Sequence, residues 1–502
     1  MRKVLYRTKI ILRELLEIYN FILTRFLLSP FFFFGLSFIF ITSIGIVIVF
    51  NYGYSYSFIF LIIIFLLTVF LKRKFKKNLW FYLLFVIVLV GVRLLLSYSY
   101  EKSITNKYDG LKTNFVSLNV TIIKPPDVNN DYVRYTVENN SDKLLLSVMG
   151  SRYPVYIPYS KCSLEGKVTK ITKDSQYFTY YYSKDIFYDL KVSSFSCVDD
   201  HSSLFWSLYA FKHSTFSVIE QNMNEPYASL LIGILWGENR SFSPKMDEAF
   251  KITGTTHVIA ASGYNVNVIA SILNVFLQMF VRKIKIVLSI FILLLYLFLA
   301  GISASILRAV LMYVIDRVYE LFGVPVTIFH IIVLTVVVVM LYNPKVIYDV
   351  GFQLSLGATL GLVFFSKVFS NDLPLLPESL SNTLSANIGT IGITAYAFGT
   401  FSLISIPVNA IVLSFLDNIM EFGMIGIGTF YISKVISRVI FMFVEDLLKP
   451  FVYITYSFTQ FRSLYLQLNT MSAMVLIIIM GLITIIFILR YFIILIQDIC
   501  NR

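Results

Sequence analysis

Residues 233–271 read GILWGENRSFSPKMDEAFKITGTTHVIAASGYNVNVIAS, and the change of character along this stretch decides how the rest of the chain is read. The first half carries Glu238, Arg240, Lys245, Asp247, Glu248 and Lys251. The second half enters an apolar segment that still holds His257, Ser262, Asn265 and Asn267. Polar side chains in a membrane-length segment are costly unless they face a cavity or a partner, so together they mark function. Gly254 and Gly263 permit close backbone approach or a break in a helix. Residue by residue, the same stretch also fits a surface loop followed by a helix packed through small residues.

Composition sets the frame. The chain has 502 residues, 57% hydrophobic and 14% charged, with a mean hydropathy of +0.76. A soluble globular chain carries about 25% charged residues. The chain is therefore expected to be a polytopic α-helical membrane protein. Its net charge of +13 fits basic loops retained on the cytoplasmic side, with a polyanionic cargo as the alternative.

Working outward, residues 1–29 are basic and amphipathic and are expected to lie at the cytoplasmic face, with no cleavable signal peptide. Apolar runs at 31–50, 58–71 and 79–96 follow. The second ends at Lys72-Arg73-Lys74-Phe75-Lys76-Lys77, a cytoplasmic marker. Three crossings then place residues 98–205 outside. That region alternates polar and apolar residues in short runs at 115–122, 132–137, 144–148, 164–171 and 187–192. Turn signals such as Pro125-Pro126-Asp127 and Asn139-Asn140 separate them. This reads as a small antiparallel β domain. The run Tyr177-Phe178-Thr179-Tyr180-Tyr181-Tyr182, with Lys173 and Lys184 nearby, reads as an aromatic-rich strand or as a stacking surface for bases. Cys162 and Cys197 share this region. A disulfide is expected if it is exported, worth about 3–4 kcal/mol in the chain-entropy model, against two buried thiols.

After an amphipathic helix at 206–223 and a short apolar segment at 228–235, the opening stretch is expected to become a helix from about Thr256 that ends at Arg282-Lys283-Ile284-Lys285. Further apolar runs continue to a last span at 471–496. At about twenty residues each, roughly ten to twelve membrane segments are expected. Arg308 stands between apolar neighbours and must snorkel, pair or face water. Asp349 and Gln353 lie four apart at the start of a helix, hence on one face; Asn343 and Asp349 also suit plain capping roles.

The pattern Gly237-Glu238, Phe242-Ser243-Pro244, Gly254 and His257-Val258-Ile259-Ala260-Ala261-Ser262-Gly263 resembles the central motif of the ComEC family of competence membrane proteins. Asn343-Pro344, Asp349 and Gly351-Phe352-Gln353-Leu354-Ser355 resemble its second motif. A small-residue stretch ending in Arg308-Ala309 is similar to a further one, and Pro407-Asn409 to a weaker one. Two departures stand out: Glu238 replaces the usual aspartate, and Asn265 replaces a usual histidine. The resemblance covers roughly 206–416 plus the N-terminal layout and implies an OB-like extracytoplasmic domain at 98–205 after the three helices within 1–97, with a competence core over 206–470; the apolar run gives a final membrane helix at 471–502. It also implies passage of single-stranded DNA across a bacterial cytoplasmic membrane. Candidate path residues are Glu238, His257, Ser262, Gly263, Asn265, Arg308, Asp349, Gln353, Ser355 and Asn409.

Many relatives carry a metallo-β-lactamase-like nuclease domain, which needs a histidine-rich cluster. The four histidines here, His201, His213, His257 and His330, form no such pattern, so no metal, no cofactor and no catalysis are expected. Ser262 with His257 lacks the strand–turn–helix elbow of a hydrolase. The expected partners are single-stranded DNA, the lipid bilayer, an outside DNA receptor, a separate nuclease and a cytoplasmic motor. The alternatives are a small-solute transporter with broken helices, or a membrane-embedded hydrolase or ligase using His257 with Glu238 or Asp247.

Overall fold

The computed structural model describes residues 30–500 apart from 71–76, 112–114, 125–126, 129–131, 150–157, 176, 199–203, 239–241 and 260–261. The basic segment 1–29, most of the basic cluster at 72–77, Pro125-Pro126, His201 and Arg240 lie outside the described residues.

Three helices open the chain: α1 (Pro30–Tyr52), α2 (Tyr54–Phe70) and α3 (Lys77–Asp109). The polar region was expected to begin at 98, but α3 continues as far as Asp109. At 1.5 Å per residue its 33 residues reach about 50 Å. Its last turns bury Ile104 and Tyr108, four apart on one face, in the core of the β domain.

The strands are β1 (Phe115–Ile122), β2 (Asp127–Val128), β3 (Tyr132–Asn139), β4 (Asp142–Met149) and β5 (Lys161–Lys170). Then come the short helix α4 (Phe178–Ser183) and β6 (Tyr188–Val198). β5 alternates exposed and buried residues along its length, as a half-buried strand must. The sheet runs β1-β5-β6-β4-β3, and β1 pairs with β3 again, closing a five-stranded barrel with β2 at its edge. β4 and β6 run parallel; the other pairs are antiparallel. Cys162 and Cys197 face each other across β5 and β6 and are joined by a disulfide. The aromatic run at 177–182 forms α4 rather than a strand. Its rings pack against Phe50 and Tyr348 of the helical region, and that tertiary contact overrides strand propensity.

The rest is helical: α5 (Leu204–Asn222), α6 (Tyr227–Trp236), α7 (Pro244–Thr253), α8 (Thr256–Ile259), α9 (Gly263–Phe276), α10 (Arg282–Ala300), α11 (Ala304–Leu321), α12 (Ile328–Tyr342), α13 (Val350–Asp372), α14 (Glu378–Phe398), α15 (Ser405–Phe430), α16 (Lys434–Ser457) and α17 (Thr470–Cys500). A small ribbon pairs β7 (Thr400–Ser402) with β8 (Tyr465–Gln467). The single helix expected from Thr256 to Lys285 is three pieces. One piece ends at Ile259, the next starts at Gly263 behind an extended Ser262, and Arg282 opens α10 instead of closing the preceding helix.

Five described helices are long and apolar enough to cross a membrane, and four more apolar helices are shorter. The chain is a mostly helical membrane protein carrying a closed barrel. Its main core joins α5, α6, α7, α9, α10, α11, α15 and α16. α6 is buried over Ala228–Trp236 and, at ten residues or about 15 Å, is too short to span. A second core joins α1–α3 to α12 and the start of α13.

Candidate functional site

Three separate motifs meet where α9, α11 and α13 begin. Ser303 caps α11 by accepting from Ile306 N, and Ser262 accepts from Tyr264 N at the start of α9. The Gly263 amide donates to Ser305 Oγ at 3.3 Å. Ser305 Oγ and Ser355 Oγ are 2.9 Å apart. Arg308 Nε donates to the same Ser355 oxygen at 2.9 Å, and its Nη1 approaches Met312 Sδ at 3.1 Å. Gly263 makes the approach possible: a Cβ there would stand 3.2 Å from Ala309 Cβ. Ser262, Gly263, Arg308 and Ser355 are thus brought together, with Ser305 as a partner that sequence reading passed over. Its signal was its place three residues before Arg308, on the same helical face.

Asn265 braces the site from below. Its Nδ2 donates to Ile234 O at 2.6 Å, at the last turn of α6, and its Oδ1 accepts from Ser262. Tyr296 donates to the neighbouring Leu235 O. An amide at position 265 therefore satisfies a helix-end carbonyl that would otherwise be orphaned. Glu238 lies elsewhere, paired with buried Lys212 at 2.8 Å. The exposed His257 ring bonds Gly254 O at 2.9 Å, and among the described residues it makes no hydrogen bond to Ser262. Asn409 is buried on α15 with Oδ1 unpartnered among the described residues.

Five helices pack in a closed circuit: α9 on α11, α11 on α13, α13 on α14, α14 on α15, and α15 back on α9. α13 and α14 touch backbone to backbone, because Cβ atoms on Gly357, Gly361 or Gly389 would collide with the facing main chain. Tyr264 OH donates to Asp417 Oδ1 at 2.6 Å, joining α9 to α15. Exposed polar residues run along both: Asn267, Ser271 and Asn274 on α9, and Ser414, Asp417 and Asn418 on α15. Asp417 went unremarked in the sequence, although a carboxylate within an apolar 26-residue helix is itself a signal. Gln353 donates to Ile347 O and lines a cavity of about 340 Å³ between α13, α14 and α17, with Gly389, Tyr396 and Thr484.

The second motif docks the barrel. Asn343 Nδ2 donates to Ser183 O at 2.7 Å. Lys345, fully buried, pairs with Asp185 at 3.0 Å and Glu101 at 3.2 Å beneath the Tyr182 and Phe187 rings. Asp349 caps α13 and pairs with Lys184. Asp349 is therefore a joint between barrel and helices, outside the Arg308 network. Nearby on the barrel, burial and the charges of Lys184 and Lys143 pull the Lys124 ammonium down to about 8.

A family model for the competence protein matches residues 234–492, more than half of the chain and inclusive of all the candidate path residues. The chain belongs to the competence protein family. It is also similar to ComE operon protein 3 of Bacillus subtilis (strain 168), 23% identical over 302 residues. That match covers 59% of this chain and only 38% of the relative. No solved structure matches. Within this family region lie both the Arg308 network and the residues that dock the barrel.

Proposed function

We propose that this member of the competence family is a conduit for single-stranded DNA across the cytoplasmic membrane during natural transformation. The observation that carries the reading is the closed circuit of α9, α11, α13, α14 and α15, which brings together Ser262-Gly263, Arg308, Gln353 and Ser355 and Asn409 with a set of polar side chains on otherwise apolar helices. A phosphate backbone cannot cross hydrocarbon uncompensated and needs a polar or basic path. Asn267, Ser271, Asn274, Asp417 and Arg308 supply polar groups along such a path, with Gln353 on α13 beside them.

The barrel supports the same reading. Its five strands with one parallel pair fit the Greek-key barrel of the OB class, whose members bind single strands through aromatic and basic groups. Tyr177 and Tyr180 are exposed, Tyr180 beside Lys184, whose partner Asp349 belongs to the helices. Basic clusters at 72–77 and 282–285 favour a cytoplasmic N-terminus and an outside barrel. In this reading the chain is not an enzyme. A receptor outside delivers DNA, a separate nuclease removes one strand and a cytoplasmic motor draws in the other.

The break between α8 and α9 favours a second reading, a small-solute transporter built on discontinuous helices. Uptake of labelled DNA in cells carrying a deletion, or Arg308→Ala or Gln353→Ala with normal membrane levels, separates the two. The conduit reading expects DNA held outside and none in the cytoplasm. Normal uptake in the deletion strain removes DNA as the cargo and leaves the solute reading.

A further inference from the structure

Three cationic side chains are buried among the described residues: Lys212, Lys345 and Arg308. Lys212 faces Glu238, and Lys345 faces Asp185 and Glu101. Arg308 is 7% exposed and has no carboxylate within ion-pair distance among the described residues. Its recorded partners, Ser355 Oγ and Met312 Sδ, are neutral, and its Nη2 has no hydrogen-bond partner among the described residues. A buried lysine can relieve such a situation by losing its proton; a guanidinium cannot. The guanidinium is buried except at its unpartnered Nη2, which stays open to solvent, and a charge so placed with no counter-charge favours an anion at that nitrogen.

The surroundings favour one. The positive ends of α9 and α11, of 14 and 18 residues, meet here through the Gly263–Ser305 contact, and the second turn of α13 adds Ser355. α9 starts afresh at Gly263 because Ser262 before it is extended. A half-helix whose amino end points at an anionic group is how broken-helix membrane proteins hold such groups. The side of Nη2 next to Gly263 is kept open, since a Cβ there would stand 3.5 Å from that nitrogen. The nearby carboxylate of Asp349 is committed to Lys184 and lies about 9 Å up the helix from Ser355, six residues at 1.5 Å each.

We infer that Arg308 is the binding site for a single phosphodiester group, with Nη2 and the hydroxyls of Ser305 and Ser355 facing its oxygens. The planar fork of a guanidinium suits that group. The inference deepens the conduit reading and rests on it for the preference for phosphodiester over other anions. Two sources share this chemistry, the backbone of a single-stranded nucleic acid and the headgroup of a phospholipid.

The test uses the full chain in phosphatidylcholine nanodiscs and a fluorescein-labelled thymidine oligonucleotide titrated over a salt series. Arg308→Gln is expected to weaken binding roughly tenfold and to make the salt slope shallower by about 0.7, one phosphate contact on a single strand. The loss should be the same for an adenosine oligonucleotide. Arg308→Lys should keep the wild-type slope while losing part of the affinity, which a misfolded protein would not do. Ser355→Ala should fall between the two. If oligonucleotide binding is unchanged but Arg308→Gln no longer retains phosphatidylglycerol in native mass spectrometry, the site stands with a lipid as its source. If neither readout changes in variants that elute as the wild type does, the inference is overturned. Because binding is read without transport, lost uptake with both oligonucleotide and phosphatidylglycerol binding unchanged would sink this site and spare the conduit; normal uptake in a deletion strain would do the reverse.

Discussion

Asp349 caps the helix that carries Ser355 and at the same time pairs with Lys184 of the barrel. One carboxylate thus links the position of the barrel to the register of the helix that orients Arg308. Asparagine caps a helix as well as aspartate does, whereas alanine costs about 1 kcal/mol. Asp349→Asn should therefore loosen the barrel while sparing α13, and Asp349→Ala should disturb both. Hydrogen exchange over residues 178–185 and 350–355 reads the two effects separately. Lys184→Ala should match Asp349→Asn, and the double variant should be no worse than either alone.

Lys124 sits on the barrel near this joint with its pKa lowered from 10.5 to about 8. The folded protein then releases a proton that the unfolded chain keeps until about pH 10.5. Between pH 8 and 10.5 the unfolded state binds more protons, so stability rises with pH over that window. Below pH 8 both states are protonated and the contribution is flat. Thermal scans across this range should show the rise in the wild type and its loss in Lys124→Met. A wild-type midpoint with no upward trend relative to Lys124→Met would remove this account of the site.

The crossing of α13 on α14 depends on Gly357, Gly361 and Gly389, where any Cβ meets facing backbone. Gly389→Leu should push the two helices apart and abolish DNA uptake at normal membrane levels. Gly428→Leu, where open space surrounds the glycine, should be tolerated. Equal loss from both substitutions would mean that the crossing is not what matters.

Much of this was legible in the sequence because it depends on local patterning. The strand at Phe115–Ile122 stands out by its period of two, and Arg308 by its charge among apolar neighbours. What was hidden depends on contacts distant in sequence. The aromatic run of α4 carries strand propensity, yet its fate is set by Phe50 and Tyr348. The extension of α3 was masked by polar residues, although Ile104 and Tyr108 already lay one turn apart. Asn343 and Asp349 were recognisable as a motif, but nothing in that motif says that its partners are Ser183 and Lys184. Arg308 could be chosen from sequence; the absence of a counter-charge among the described residues could not.

The central claim is that a DNA strand passes through the circuit of α9, α11, α13, α14 and α15. The most direct measurement places a photocrosslinking residue at Asn267, on the exposed polar side of α9, or at Phe291, on the exposed apolar side of α10, and irradiates cells during uptake of labelled DNA. The account predicts a DNA adduct at Asn267 and none at Phe291. Uptake that proceeds with no adduct at Asn267, or with equal adducts at both positions, would contradict it.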